Sequence, residues 1–359
     1  MNIKHTIFFD VQELYYLPQY LPVFKELKKH HNCAITFIFH QNKFEDIVKN
    51  IILKEHLPHH WVNDKNEALQ FYLDKKPTWI FLGNTFPELD KIHLHSKTAQ
   101  LGHGVGPKKS YYSKSNTPTS VRFVESDYRY QRLCKMFPND VFVNVGFCKL
   151  DPIINEQEDG LCYKTLRLDK TKKTILYAPT FYPSSIEKFS KNFPSDFKNY
   201  NIIIKPHYFS ISMKKYQKQR NLLQHWDTYD NVYLAKVDDY SLLPFLKSAD
   251  LMISDASSAI IEFAALNKPV IWCTFLQLRW NYRGIFSYRF KARMDKDYDD
   301  YRQIATLSSS YNKMISNTNN LLENANKLPE NAKIYLERLA GKLDGKASKR
   351  IVTYLLENC

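Results

Sequence analysis

Short apolar runs rich in β-branched and aromatic residues recur along this chain, bounded by turn residues and separated by longer, charge-bearing segments with helical spacing. A strand buried on both faces reads as such a continuous run, and the intervening segments supply the crossovers that parallel strands need. The alternation therefore predicts parallel α/β sheets. The expected strands of the first half are 5–9, 34–39, 79–81, 98–101, 120–124 and 141–145. Segment 17–30 carries Leu17, Leu21, Phe24 and Leu27 in a helical stripe and is the expected first crossover helix.

With 359 residues the chain exceeds what one core usually organises, so two domains are expected. The polar, strongly charged segment 153–173 is the expected linker between a domain at 1–152 and one at 174–335. In the second domain the alternation restarts, with strands at 174–177, 201–204, 232–234, 251–253 and 270–272 and helices at 240–247 and 257–266. From about residue 301 the pattern is helical with no strand signal, and 336–359 reads as a C-terminal helical segment. Two Rossmann-like domains joined in this way imply an interdomain cleft.

Lysine and arginine total 51 against 37 acidic residues, a formal net charge of +14 that attracts anions. Acidic lipid head groups, nucleic acid and a diphosphate substrate all satisfy it. The six cysteines form no CxxC pair, which argues against a structural zinc site or a disulfide framework and for a reducing compartment. No metal cluster or cofactor motif is evident. The apolar run 6–9 is followed closely by Asp10 and Glu13 and is too short for a signal peptide, and no run approaches the length of a membrane span. Any membrane contact is expected from one face, which gives a cytoplasmic, peripheral protein.

Ligands of open α/β sheets bind beyond the carboxyl ends of the strands, so the residues following each strand carry the functional signal. Here they are Gly102-His103-Gly104, Ala178-Pro179-Thr180-Phe181, Lys205-Pro206-His207 and Ser254-Asp255-Ala256-Ser257-Ser258. If 257–266 is helical, its free amides and positive dipole end suit a phosphate, with Ser257 and Ser258 adding hydroxyls. Asp255 or Ser257 could equally serve as its cap. Glu262 lies one turn further on, placed either to accept bonds from ribose hydroxyls or simply to face solvent on an amphipathic helix. Lys205 and His207 leave the sheet around a rigid proline, a pairing suited to a pyrophosphate or to a structural turn. His103 differs from the other histidines because glycines on both sides allow a backbone or substrate to come close.

Gly102-His103-Gly104 with Pro107-Lys108-Lys109, the run 144–151 (NVGFCKLD), Leu176-Tyr-Ala-Pro-Thr-Phe181, Lys205-Pro-His207, Asp239-Tyr-Ser-Leu-Leu243, and the run 249–258 with Glu262 together resemble the CDP-glycerol glycerophosphotransferase family. The motifs occur in the family's order, closed by Asn267-Lys-Pro-Val-Ile271. Gly102 stands where the family usually has tryptophan, Ala256 where it has tyrosine, and Cys148-Lys149-Leu150 where an arginine–asparagine pair precedes the aspartate. These departures leave the identity of the transferred polyol open.

The resemblance implies a GT-B architecture and transfer of an alcohol phosphate, glycerol phosphate first, from a CDP-alcohol to a hydroxyl of a lipid-linked glycan or polyol-phosphate acceptor, releasing CMP. The pathway would be synthesis of teichoic acid or a capsule-like polymer. The alternative on the same scaffold is a glycosyltransferase using a UDP- or CMP-sugar. His103 and His207 are the expected catalytic residues. Gly104, Lys108, Ala178, Pro179, Thr180, Lys205, Asp255, Ser257, Ser258 and Glu262 are the expected substrate-binding set. The aromatic-basic stretch 278–291 fits contact with an anionic membrane surface or a folded surface loop. A nucleic-acid partner rests on charge alone and gives the strand-end motifs no role.

Overall fold

The computed structural model describes residues 4–41, 44–102, 104–106, 109–112, 118–292, 294–324 and 328–359. The chain divides into two compact units, one within Met1–His103, Tyr112–Gln157 and Ala340–Cys359, the other within Gly104–Tyr111 and Glu158–Leu339. Segment 158–173, inside the expected linker, is tied to the second unit: Leu161 N donates to Ser248 Oγ, and Tyr163 Oη donates to the Ser248 carbonyl.

The first unit holds, among the described residues, a seven-stranded parallel sheet. Its strands are β1 (His5–Val11), β2 (Cys33–His40), β3 (His59–Val62), β4 (Trp79–Leu82), β5 (Lys97–Leu101), β6 (Val121–Val124) and β7 (Phe142–Asn144), in the order β3-β2-β1-β4-β5-β6-β7. Phe9 lies in register with Phe37 on one side and Phe81 on the other, and the three rings stack with centroids 4.8 and 4.7 Å apart. Helix Leu17–Leu27 covers this ladder, setting Tyr20 against Phe9 and Phe24 edge-on to Phe37. Such pairs add about 0.5–1.5 kcal/mol each beyond the area they bury.

The C-terminal helix Ala347–Glu357 packs on the same unit. Trp79 Nε1 donates to the Leu355 carbonyl. Asp151, the last residue of the 144–151 motif, caps the helix from nearly two hundred residues away. Its carboxylate accepts from Ala347 N at 3.3 Å, Ser348 N at 2.7 Å and Ser348 Oγ at 2.6 Å. Three of the amide and hydroxyl donors at this helix start thus meet a negative charge, which the dipole favours.

The second unit holds a six-stranded parallel sheet among the described residues. Its strands are β8 (Thr174–Ala178), β9 (Asn201–Ile204), β10 (Val232–Leu234), β11 (Leu251–Ser254), β12 (Val270–Cys273) and β13 (Thr306–Ser308), in the order β10-β9-β8-β11-β12-β13. Numbered from its own first strand, the second unit follows the doubly wound order 3-2-1-4-5-6, and the first follows the same order with a seventh strand added after the sixth. The fold is α/β with two Rossmann-like units.

Two strands lie outside the sequence expectation. β3 begins with exposed His59 and His60, and β13 has only three residues in a region that reads as wholly helical. Both are edge strands, held by backbone pairing to one neighbour and therefore free of the apolar run that marks a central strand. The expected helix 257–266 is also shorter, Ala259–Ala264.

Replacing Asp151 with alanine should lower stability by about 1–2 kcal/mol, the usual worth of a helix cap. Urea unfolding followed by circular dichroism measures it, and an unchanged midpoint would show that the cap contributes nothing.

Candidate functional site

Strand order reverses in the second unit between β8 and β11, and ligand sites form at the carboxyl ends of strands at such a point. The loops found there, joined by the one that follows neighbouring β9, are three of the four picked out from the sequence. Asp255 binds two of them together. It is fully buried, and its Oδ2 accepts from Thr180 N, Ser184 Oγ and Ser185 N, each at 3.2 Å. Beside it Ser254 Oγ donates to the Ala178 carbonyl at 2.6 Å. Ala178, Pro179 and Thr180 are buried and take their conformation from β11.

Asp255 therefore does not cap the following helix. Burial pushes its carboxyl up to about 7, against the lowering effect of the bonds from Ser185, Ser184 and Thr180. Ser257 takes the capping role, its Oγ accepting from Ala259 N at 3.3 Å. Ser258 is half-buried at the helix start.

Glu262 is fully buried, so the solvent-facing alternative does not hold. It shares its surroundings with Gly104 and Ser258. A Cβ on Gly104 would stand 3.1 Å from Ser258 Oγ and 3.4 Å from Glu262 Oε1, and the backbone there has φ +155°. Absence of a side chain lets the strand-following segment at 104 lie directly against the 258–262 helix. His103 and Lys108 lie outside the described residues.

Lys205 is half-buried, and its amide continues the β8–β9 ladder by donating to the Tyr177 carbonyl at 2.8 Å. His207 opens the short helix Tyr208–Ser212, with Nδ1 accepting from Phe209 N at 3.1 Å. A ring that accepts at Nδ1 carries its proton on Nε2 when neutral, so His207 presents a donor at Nε2. Phe181 and Phe209 hold the ring, with centroids 4.7 and 5.1 Å away.

Sequence reasoning missed Ser184 and Ser185, which carry two of the three bonds to Asp255; no motif marks them, and only the loop's return to β11 does. His40, which no motif singles out, is another such residue. In the first unit His40 Nε2 lies 2.6 Å from Asp10 Oδ1, and Gln12 Nε2 donates to Asp10 Oδ2 at 2.6 Å. This polar group sits at the carboxyl ends of β1 and β2, where that unit's own strand order reverses beside β1. Its available signal was an aspartate interrupting an otherwise apolar strand. Among the described residues no three His, Cys, Asp or Glu side chains are grouped as metal ligands would be.

Two doubly wound units of this kind define the GT-B class of α/β folds. Within it, the family model described as CDP-Glycerol:Poly(glycerophosphate) glycerophosphotransferase matches residues 7–357, and the chain belongs to that family. A "Teichoic acid glycerol-phosphate primase" of Bacillus subtilis is 26% identical over 280 residues, covering 72% of this chain and 68% of that protein. One of the same name from Bacillus spizizenii is 33% identical over 138 residues, covering 38% of this chain and only 34% of that protein, so the chain spans about a third of its length. Among solved structures, that of the wall teichoic acid polymerase TagF superposes with a TM-score of 0.70 at 16% identity, covering 100% of this chain and 89% of that one.

The raised Asp255 carboxyl has a consequence for stability. A carboxyl whose folded value exceeds its unfolded value of 3.8 stabilises the fold fully at low pH and loses that contribution as pH rises toward and through about 7. The thermal midpoint of the wild type should therefore fall between about pH 4 and pH 7 relative to that of Asp255→Asn. Parallel curves in differential scanning fluorimetry would refute this.

Proposed function

We propose that this chain transfers glycerol phosphate from CDP-glycerol to a hydroxyl of a lipid-linked or polymeric glycan acceptor, releasing CMP, in teichoic acid synthesis. The observation that carries this reading is the family match across residues 7–357. The acceptor oxygen attacks the β-phosphorus in line as the bond from that phosphorus to the bridging oxygen breaks. The acceptor's proton passes to His103, a role suited to an imidazole near neutrality. CMP departs with the electron pair of the broken bond.

His207 serves this step as a donor to the diphosphate. Its Nδ1 accepts from Phe209 N, which puts the proton of the neutral ring on Nε2, the atom that would donate to an oxyanion. Lys205 and Lys108 supply positive charge, and Ser257 and Ser258 supply hydroxyl donors. Gly104 admits the substrate close to the backbone, Ala178, Pro179 and Thr180 line the nucleotide side, and Glu262 accepts from the ribose hydroxyls. Asp255 acts through Thr180 and the Ser184–Ser185 turn, as a positioning residue.

Association with the membrane is peripheral in this reading. No helix among the described residues is long and apolar enough to cross a membrane. Trp280 and Ile285 are 76% and 84% exposed, in a stretch that also carries Arg279, Arg283 and Arg289. Exposed apolar side chains among arginines match an anionic bilayer surface. Arg279 is anchored to the rest of the unit, its guanidinium stacked over the Tyr182 ring and its amide donating to Tyr182 Oη.

Incubation with a panel of CDP-, UDP- and CMP-linked donors, with the released nucleotide identified by mass, should yield CMP from CDP-glycerol. UDP, or CMP released only from a CMP-sugar, would replace this reading with glycosyl transfer. His103→Ala and His207→Ala should each reduce turnover by about 10²–10⁴-fold with the fold intact; near-wild-type rates would remove both from the mechanism. In flotation assays the protein should rise with phosphatidylglycerol vesicles and not with phosphatidylcholine. Loss of that preference should follow from the double change Trp280→Ser and Ile285→Ser, and vesicle binding unaffected by it would move the contact elsewhere.

A further inference from the structure

The first unit contains a cavity of about 410 Å³ between the outer edge strand β7 and the C-terminal helix. Its volume falls in the range of ligand sites, about 300–1,000 Å³. None of the residues assigned above to the transfer reaction lines it. The helix contributes Lys346, Lys349, Arg350, Thr353 and Tyr354, positions that recur at three and four residues and so occupy one face. The opposite face is the buried one, with Ile351, Val352 and Leu355 in the core. On the strand side the lining includes Asn144.

The cationic groups here differ in how they are held. Arg350 is fixed in place: Nη1 donates to the Val145 carbonyl at 2.8 Å and Nη2 pairs with Asp344. Gly146 makes room for it, since a Cβ at that position would lie 3.3 Å from Arg350 Nη1. Lys346 and Lys349 are exposed and form no ion pair among the described residues. Of the acidic groups nearby, Asp344 is engaged by Arg350, Asp127 accepts from Asn144 Nδ2 at 2.8 Å, and Glu357 stands at the far end of the helix face. The lining thus offers two uncommitted ammonium groups beside a braced guanidinium, with a hydroxyl from Thr353 and a phenol from Tyr354, while the Asn144 amide is held by Asp127 and Gly146.

That combination recognises an anion carried on a hydroxyl-bearing backbone. We infer that this groove binds a polyol phosphodiester chain, holding the acceptor polymer at a place apart from the residues that perform transfer. The inference rests on the reading that the protein extends such a polymer. A chain is favoured over a lipid head group because none of the lining residues is an exposed large apolar side chain of the kind that would enter a bilayer.

The test uses the full chain and the double change Lys346→Glu and Lys349→Glu, two exposed positions outside the transfer site. Calorimetric titration with a synthetic glycerol phosphate oligomer of several diester units, at 50 and 200 mM salt, should show wild-type binding that weakens with salt. Binding to the double variant should be about tenfold weaker, the worth of two exposed charge pairs. CMP release with a single-unit acceptor should be unchanged, and the wild type should favour longer acceptors where the double variant does not. Equal oligomer affinity in the two proteins overturns the inference, as does a loss confined to phosphatidylglycerol vesicles. If no CMP is released from any CDP-alcohol while the oligomer still binds in a manner dependent on the two lysines, the functional reading fails and the binding site stands.

Discussion

The buried carboxylate of Asp255 is the interaction on which the candidate site depends. A carboxylate withdrawn from water is tolerable only where donors replace the lost hydration, and three donors from two separate segments converge on one of its oxygens. Those segments are the start of the loop after β8 and the turn at 184–185, the latter also bridged to Gln277, whose amide donates to the Ser184 carbonyl at 2.7 Å. The bonds to Asp255, with that of Ser254 Oγ to the Ala178 carbonyl, fix the positions of Ala178, Pro179 and Thr180. Burial without full compensation also explains why this carboxyl titrates near neutrality while remaining in place.

The first unit is organised differently. Its centre is the ring ladder of Phe9, Phe37 and Phe81, a continuous aromatic row across three adjacent strands, closed above by Tyr20 and Phe24. Its outer side is completed by the last twenty residues of the chain, pinned through Asp151 and Trp79. A motif that resembles part of a family's functional signature thus includes a residue whose visible work is to cap a remote helix.

Much of the architecture was legible because central parallel strands must be apolar on both faces. β9 falls where the runs predict, and the other central strands differ by a residue or two at their ends. Edge strands are not bound by this logic: β7 and β10 still carry apolar runs, but two others do not. β3 and β13 need only backbone partners on one side, so His59-His60 and a three-residue stretch suffice. The site was legible as four loops after strands because strand ends are where an open sheet leaves side chains facing a ligand. Its internal wiring was not, since Ser184 and Ser185 become significant only when the chain returns to Asp255. His40 looked unremarkable for the same reason: its partner Asp10 lies thirty residues away and is adjacent only through the β1–β2 register.

By itself the sequence determined the α/β alternation, the strand-end loops and the family, because each depends on local patterning or on motifs contiguous in the chain. Tertiary structure alone decided that Glu262 is buried against Gly104 and Ser258, that Asp255 organises loops instead of capping a helix, and that His207 offers Nε2 as a donor. It also decided that a basic helix face borders a cavity beside β7. Each of these turns on which groups desolvate one another, and desolvation is a property of neighbours in space that no spacing along the chain encodes.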